Sequence, residues 1–200
     1  MDEPDLLQQA RIFLPKYLSP EQQRDLWEEL RSFPSNRSYY TSDPALSYQL
    51  MQGDGWRGFV VVNFFTLEKK QVSGVIISNS CDIAVDNDRA MPPNILFAPM
   101  VRLDAYCALL AQAGKTPAQI ESIRDSIRNQ RHTSIFYLRA DGEALPESLI
   151  VLDDIHAHPL RDFVAGQSSC VFTLNVFAWY LFLLKLSIHL LRMQEGIARR

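Results

Sequence analysis

Three β-forming runs crowd into the segment Gly58–Met100 with no helical pattern between them. Gly58–Leu67 (GFVVVNFFTL) is rich in β-branched and aromatic residues and reads as the first strand. Glu68-Lys69-Lys70-Gln71 reads as a polar hairpin turn, and Val72–Ser78 returns as the second strand. A polar loop containing Pro92-Pro93 leads to the third strand, Asn94–Met100 (NILFAPM). Strand, charged turn, strand, loop, strand in this order favours an antiparallel meander or small barrel over βαβ units. The middle strand ends abruptly. Val75-Ile76-Ile77 gives way to Ser78-Asn79-Ser80-Cys81-Asp82, so a rigid apolar strand carries small hydrogen-bonding side chains at its rim.

Helical patterns flank this segment. Leu6, Leu7, Ala10, Phe13 and Leu14 give a short amphipathic helix over Asp2–Leu14, which Pro15 interrupts. A second helix starts with Ser19 as cap, Pro20 at the first position and Gln22 at the third, and ends at Pro34. Residues 1–34 are thus expected to form an N-terminal helical arm packed on a main domain spanning 53–200. Gly53-Asp54-Gly55 is a turn signal at the start of that domain. Leu103–Gln112 is a helix by periodicity, and Thr116-Pro117-Ala118-Gln119 opens another that runs to about Gln130. This pair, about 103–130, is an insertion between strands. Thr133–Leu138 and Ser148–Leu152 are two further strands. Thr173–Met193 reads as one helix (domain end about 173–194) that is apolar over most of its circumference. Lys185, His189 and Arg192 share its one polar stripe. Such a helix belongs in a core or a subunit interface. Its uninterrupted apolar stretch, Val176–Leu184, is far short of the roughly 18–20 residues of a membrane span.

Composition narrows the classes. Lysine and arginine number 20 against 23 acidic residues, so bulk charge does not drive nucleic-acid binding, although a local basic patch remains open. Cys81, Cys107 and Cys170 are odd in number and irregularly spaced, which fits a reducing compartment. The acidic start MDEPDLLQQAR lacks the apolar core of a secretory signal. A cytoplasmic protein without membrane contact is expected.

Candidate chemistry falls into three groups, each beside a structural alternative. Cys81 is a candidate nucleophile if a base such as His132 or His156 approaches and Asp82 orients that histidine. Otherwise Cys81 is a small hydrophobe and Asp82 fixes the turn by accepting backbone N–H bonds. Arg124, Arg128 and Arg131 lie at i, i+4 and i+7 and form a basic stripe that suits phosphates or a solvated face. Arg57 stands among Tyr39, Tyr40, Tyr48 and Trp56, a mixture that either stacks single-stranded bases or covers the core. Asp153, Asp154, His156 and His158 have metal-ligand character, with His156 and His158 pointing the same way from an extended chain. Their alternative is a strand-end turn with surface histidines, and no cofactor is assigned.

The segment Gly53–Met100 resembles the core of the MazF/PemK (CcdB-like) toxin barrels. The matching residues are Gly53-Asp54, Val75-Ile76-Ile77-Ser78-Asn79 and Phe97-Ala98-Pro99-Met100. The resemblance implies an SH3-like β-barrel with accessory helices; with the elements read above, the expectation is α+β: a partly open antiparallel barrel of five or six strands with the helical arm, inserted helical pair and long C-terminal helix. It also implies metal-independent endoribonuclease activity in toxin–antitoxin systems. The family's activating arginine precedes the hydrophobic strand, but this chain has Gln71-Val72-Ser73-Gly74 there, and Met100-Val101 replace the threonine after the proline strand. Ser78-Asn79-Ser80-Cys81-Asp82-Ile83 is also similar to a Ser-x-Ser-Cys-Asp-Ile signature of uncharacterised bacterial barrel proteins, in which a later aromatic strand matches Phe136-Tyr137-Leu138. The expectation is a toxin-like barrel of a bacterial defence or toxin–antitoxin system. It is noncatalytic or weakly catalytic and binds a partner protein or nucleic acid. It pairs with a partner or a second copy through the C-terminal helix. The alternatives are a MazF/PemK-type endoribonuclease, with Arg57, Ser78, Asp82, Arg131 and His132 at the rim, and a Cys81-dependent enzyme.

Overall fold

The computed structural model describes residues 19–33, 38–84, 86–87, 89–91 and 93–191. The chain divides into two compact units, Met1–Arg37 and Ser38–Arg200. In the first, α1 (Pro20–Arg31) begins as its sequence requires. The Ser19 hydroxyl accepts from the Gln22 N–H and the Gln22 side chain accepts from the Ser19 N–H, with Pro20 in the first turn. The helix expected over Asp2–Leu14 lies outside the described residues.

The second unit is built on one antiparallel sheet. Its strands are β1 (Tyr40–Thr41), β2 (Gly55–Val62), β3 (Lys69–Ile76), β4 (Asn94–Arg102), β5 (Ile135–Leu138), β6 (Ser148–Val151), β7 (His156–Pro159) and β8 (Ser169–Leu174). The order is β1-β8-β2-β3-β4-β6-β5, with β7 also paired to β4. One edge of β4 therefore serves two partners: Met100–Arg102 pair with β6, and Asn94–Phe97 pair with β7. The result is an open, curled half-barrel in an α+β unit. Among the described residues it carries eight strands where five or six were expected.

The β2–β3 hairpin sits about three residues earlier than the polar pattern suggests. Asn63 is the reason. Its side-chain oxygen accepts from the N–H groups of Phe65 and Thr66, its own N–H bonds the Glu68 carbonyl, and the Leu67 N–H bonds the Asn63 carbonyl. That closes the turn before Lys69, so Lys69 and Lys70 are strand residues and not turn residues. Upstream, Gly53 takes φ +91 and starts the chain into β2, and a Cβ at Gly55 would lie 2.2 Å from the Phe172 ring. The tight Gly-Asp-Gly run therefore lets β2 approach β8.

Two helices follow β4: α3 (Leu103–Gln112) and α4 (Pro117–Arg128). The capping box of Thr116 and Gln119 forms as the sequence reads. The helix ends at Arg128, two residues before the expected Gln130, because Gln130 turns to φ +56 and bonds Tyr137 instead. The pair packs Leu103, Cys107 and Ile127 against Ile135, Tyr137 and Leu149 on one face of β5–β6. A second cluster holds Trp56, Phe59, Ile76, Ile95, Phe97 and Phe163, with Phe59 stacked between Phe97 and Phe163 at 4.0 and 4.4 Å. Phe163 comes from α5 (Leu160–Ala165).

The C-terminal helix, here α6 (Val176–Leu191), starts three residues later than expected. Thr173 and Leu174 belong to β8, where Leu174 N–H donates to Asp54. Asn175 then caps the helix by accepting from the Ala178 N–H. Phe177, Ala178 and Phe182 are buried, and Phe182 meets the edge of Phe136. Among the described residues no helix is long and apolar enough to cross a membrane.

Candidate binding cleft

The residues after β3 do not form the reactive knot their chemistry suggested. Asn79 caps the single helical turn α2 (Ser80–Ile83), accepting from the Cys81 N–H. Ser78 accepts from the Leu96 N–H and Ser80 from the Gln52 N–H. The serines and the asparagine thus do the turn-fixing work expected of Asp82. Asp82 itself is exposed and faces Arg89 at 3.4 Å. Cys81 is exposed. His132 precedes β5, and its Nε2 is buried without a hydrogen-bond partner. Cys81, Asp82 and His132 share no hydrogen bond or ion pair among the described residues, so no thiol–imidazole pair is assembled.

The basic stripe is largely neutralised within the chain. Arg124 lies 3.5 Å from Glu121. Arg128 makes a two-pronged pair with Glu147 at 2.9 and 2.7 Å, and the Tyr137 hydroxyl donates to the same carboxylate. The guanidinium holds the Glu147 carboxyl below its usual value, while burial and the carboxylate push the Tyr137 phenol up. Arg131 lies beyond the helix end and is exposed. The stripe was legible in sequence, but Glu147, 19 positions from Arg128, was not.

The aspartates and histidines weighed as metal ligands pair off instead of gathering. His156 Nε2 lies 2.8 Å from Asp154, and His158 Nδ1 lies 3.1 Å from its neighbour's carbonyl. Asp153 faces His189 of α6 at 3.2 Å. His156 and His158 do share a face, as alternation requires, but their rings pack on Phe97, Phe59 and Phe163. Among the described residues no three histidine, cysteine or acidic side chains gather in a way that could hold a metal ion.

What the sheet does assemble is a cleft of about 230 Å³ across five of its strands and the loop before β6. Arg57 pairs with Ser73, Gly74 with Pro99, and Arg102 with Ser148. That register sets Arg57, Ser73, Met100, Arg102 and Ser148 on one face, and Leu145 and Pro146 close one side. Gly58, at φ +107, lies at the β2 irregularity beside Arg57, and a Cβ there would lie 3.0 Å from the Ser168 Cα. Arg57 is exposed and has no ion pair among the described residues, whereas Arg102 is held by Asp104 through two hydrogen bonds. Two guanidinium groups over serine hydroxyls suit an anionic ligand. Arg57 was identifiable from sequence. Arg102 was missed, although it continues the alternation of β4 beyond Met100.

Two further polar groups lie under α6. Asp54 is 2% exposed, and its Oδ1 accepts from Leu174 N–H at 3.1 Å while Oδ2 has no hydrogen-bond partner among the described residues. Burial pushes its carboxyl up to about 7 against the weak pull of that N–H and of the Thr173 hydroxyl. Lys185 donates to the Gln130 carbonyl and to its side-chain oxygen, and burial lowers its ammonium to about 8. Neither group opens onto the cleft lining. No family model and no curated protein sequence matches this chain.

Proposed function

We propose that this chain is a noncatalytic interaction module, a toxin-like, SH3-like half-barrel of a bacterial defence or toxin–antitoxin type system. It grips a partner protein through the outer face of α6. The observation that carries this reading is the side chains α6 leaves in water. Val176, Leu184, Ile188 and Leu190 are each about half exposed or more, although the opposite face is already buried on the sheet. Val176, Leu184 and Ile188 fall on one stripe at i, i+8 and i+12. A helix with a buried apolar face and a second apolar stripe outside it is suited to helix–helix docking. The first occupant to test is a second copy of the chain. Light scattering over a concentration series should give a dimer that Leu184→Glu with Ile188→Glu converts to a folded monomer. If the unsubstituted chain is a monomer and no chain crosslinks to α6, the reading fails.

The cleft supports a second reading, binding of single-stranded nucleic acid. Arg57, which has no ion pair among the described residues, and its neighbour Arg102 favour it. Titration with single-stranded RNA and DNA at two salt concentrations should give salt-dependent binding that Arg57→Glu weakens. Endoribonuclease and Cys81-dependent activity have less support, because among the described residues no histidine bonds Cys81 and no arginine stands at positions 71–74.

A further inference from the structure

The β2–β3 hairpin runs out of the sheet. β8 pairs with β2 only at Gly55–Arg57, and β4 pairs with β3 only at Gly74–Ile76. Beyond that point Val60↔Gln71, Val61↔Lys70 and Val62↔Lys69 continue as a two-stranded ribbon with no other strand beside it among the described residues. The tip of this ribbon holds Phe64, Phe65 and Leu67, exposed to 85, 99 and 73%. An isolated exposed apolar residue needs no explanation, but two adjacent phenylalanines and a leucine at the apex of a projecting ribbon do.

The turn is built so that these rings stay out. The N–H groups of Asn63, Phe65, Thr66, Leu67 and Glu68 are bonded locally, to the Glu68 carbonyl, the Asn63 side chain and carbonyl, and the Thr66 hydroxyl. The Thr66 hydroxyl donates to the Glu68 carboxylate. Leu67 is held at φ +58, a backbone state a branched side chain rarely adopts. Satisfied backbone groups matter at an apolar boundary, because an unpaired N–H there is costly. Lys69 and Lys70 follow the tip directly, are exposed and have no ion pair among the described residues. At about 3.3 Å per residue they stand roughly 5–10 Å behind the rings. That spacing matches rings at the headgroup–acyl boundary with ammonium groups at the level of the phosphates.

We propose that the β2–β3 hairpin tip, Phe64-Phe65-Thr66-Leu67 backed by Lys69 and Lys70, inserts into the surface of an anionic lipid bilayer. This is contact with one leaflet and not a span. Charge decides the occupant. An apolar protein pocket would need no pair of free cations behind the rings, whereas an anionic leaflet attracts each of them.

The test is co-sedimentation of the full chain with phosphatidylcholine vesicles, with and without 30% phosphatidylserine (about that fraction suffices to make the surface anionic). Phe65→Trp serves as the reporter. The expected result is binding to the anionic vesicles with a blue shift of the new tryptophan. Phe64→Ser with Phe65→Ser should weaken it at least about tenfold, and so should Lys69→Glu with Lys70→Glu. All these positions are exposed, so circular dichroism should show the variants folded as the parent. No binding to anionic vesicles, an unshifted reporter, or binding undiminished by the double serine variant overturns the proposal. A concentration-dependent oligomer that the double serine variant dissolves overturns it too, because a second copy then covers the tip.

Discussion

Replacing Asp54 by asparagine should stabilise the protein at pH 8 and cost stability at pH 4, where the carboxyl is already neutral. Asp54 is 2% exposed, and its carboxyl titrates at about 7 instead of the ordinary 3.8 because burial disfavours the charge. The folded value is raised. The group therefore favours the fold fully below pH 3.8, and that contribution is lost as the pH rises to about 7. At 1.36 kcal/mol per tenfold, the interval corresponds to a ceiling of about 4 kcal/mol. Asparagine keeps an oxygen for the Leu174 N–H and removes the charge, so the variant should escape most of that loss. Its new N–H donors would occupy the place of Oδ2, which has no hydrogen-bond partner among the described residues, and this lowers the expected gain at pH 8 to about 2 kcal/mol. Urea unfolding of parent and variant, followed by tryptophan fluorescence at pH 4, 6 and 8, measures the difference. Other carboxylates titrate alike in both proteins and cancel. An identical stability difference at all three pH values would refute the reasoning, because it would mean that Asp54 is ionised throughout.

Phe59→Ala should cost about 3–5 kcal/mol, measured by chemical denaturation, because its ring is fully buried between Phe97 and Phe163 and their helix and strands cannot collapse into the gap. Glu147→Gln should cost about 1 kcal/mol by thermal unfolding, since the pair with Arg128 is partly exposed and one prong survives. A thiol reagent should label Cys81 rapidly and Cys107 only on unfolding, and Cys81→Ser should leave the melting temperature unchanged. Thr116→Ala should lower stability by about 1 kcal/mol in the same melts by removing the cap of α4.

Where a structure is local, the sequence carried it. Ser19-Pro20-Gln22 and Thr116-Pro117-Gln119 each fold into the capping box that their spacing encodes, and Leu103–Gln112 is helical to the residue. The antiparallel arrangement was legible because the strands of Gly58–Met100 have no helical pattern between them. The hairpin turn was misplaced because charge marked Glu68–Gln71, while the side chain of Asn63 closes the turn earlier. β7 (His-Ala-His-Pro) has little β-forming character, α5 is too short to show a helical period, and the end of β8 was read as the start of the C-terminal helix. The site suffered from distance along the chain. Arg128 looks free until Glu147 is folded against it, and Arg57 and Arg102 share a cleft only through the β2–β3–β4 register.

The bond between Leu174 and Asp54 spans 120 positions, and the β2–β8 pairing beside it is nearly as long-range. During synthesis the local β2–β3 hairpin can form early, but its flank has no partner until residue 174 has left the ribosome. At the rate of translation that interval is several seconds. Throughout it the Asp54 carboxylate remains in water and the edge of β2 stays open to other nascent chains. A chaperone that shields this edge would act on the most vulnerable period of the protein's life, and a stalled ribosome short of β8 would release a chain primed to aggregate.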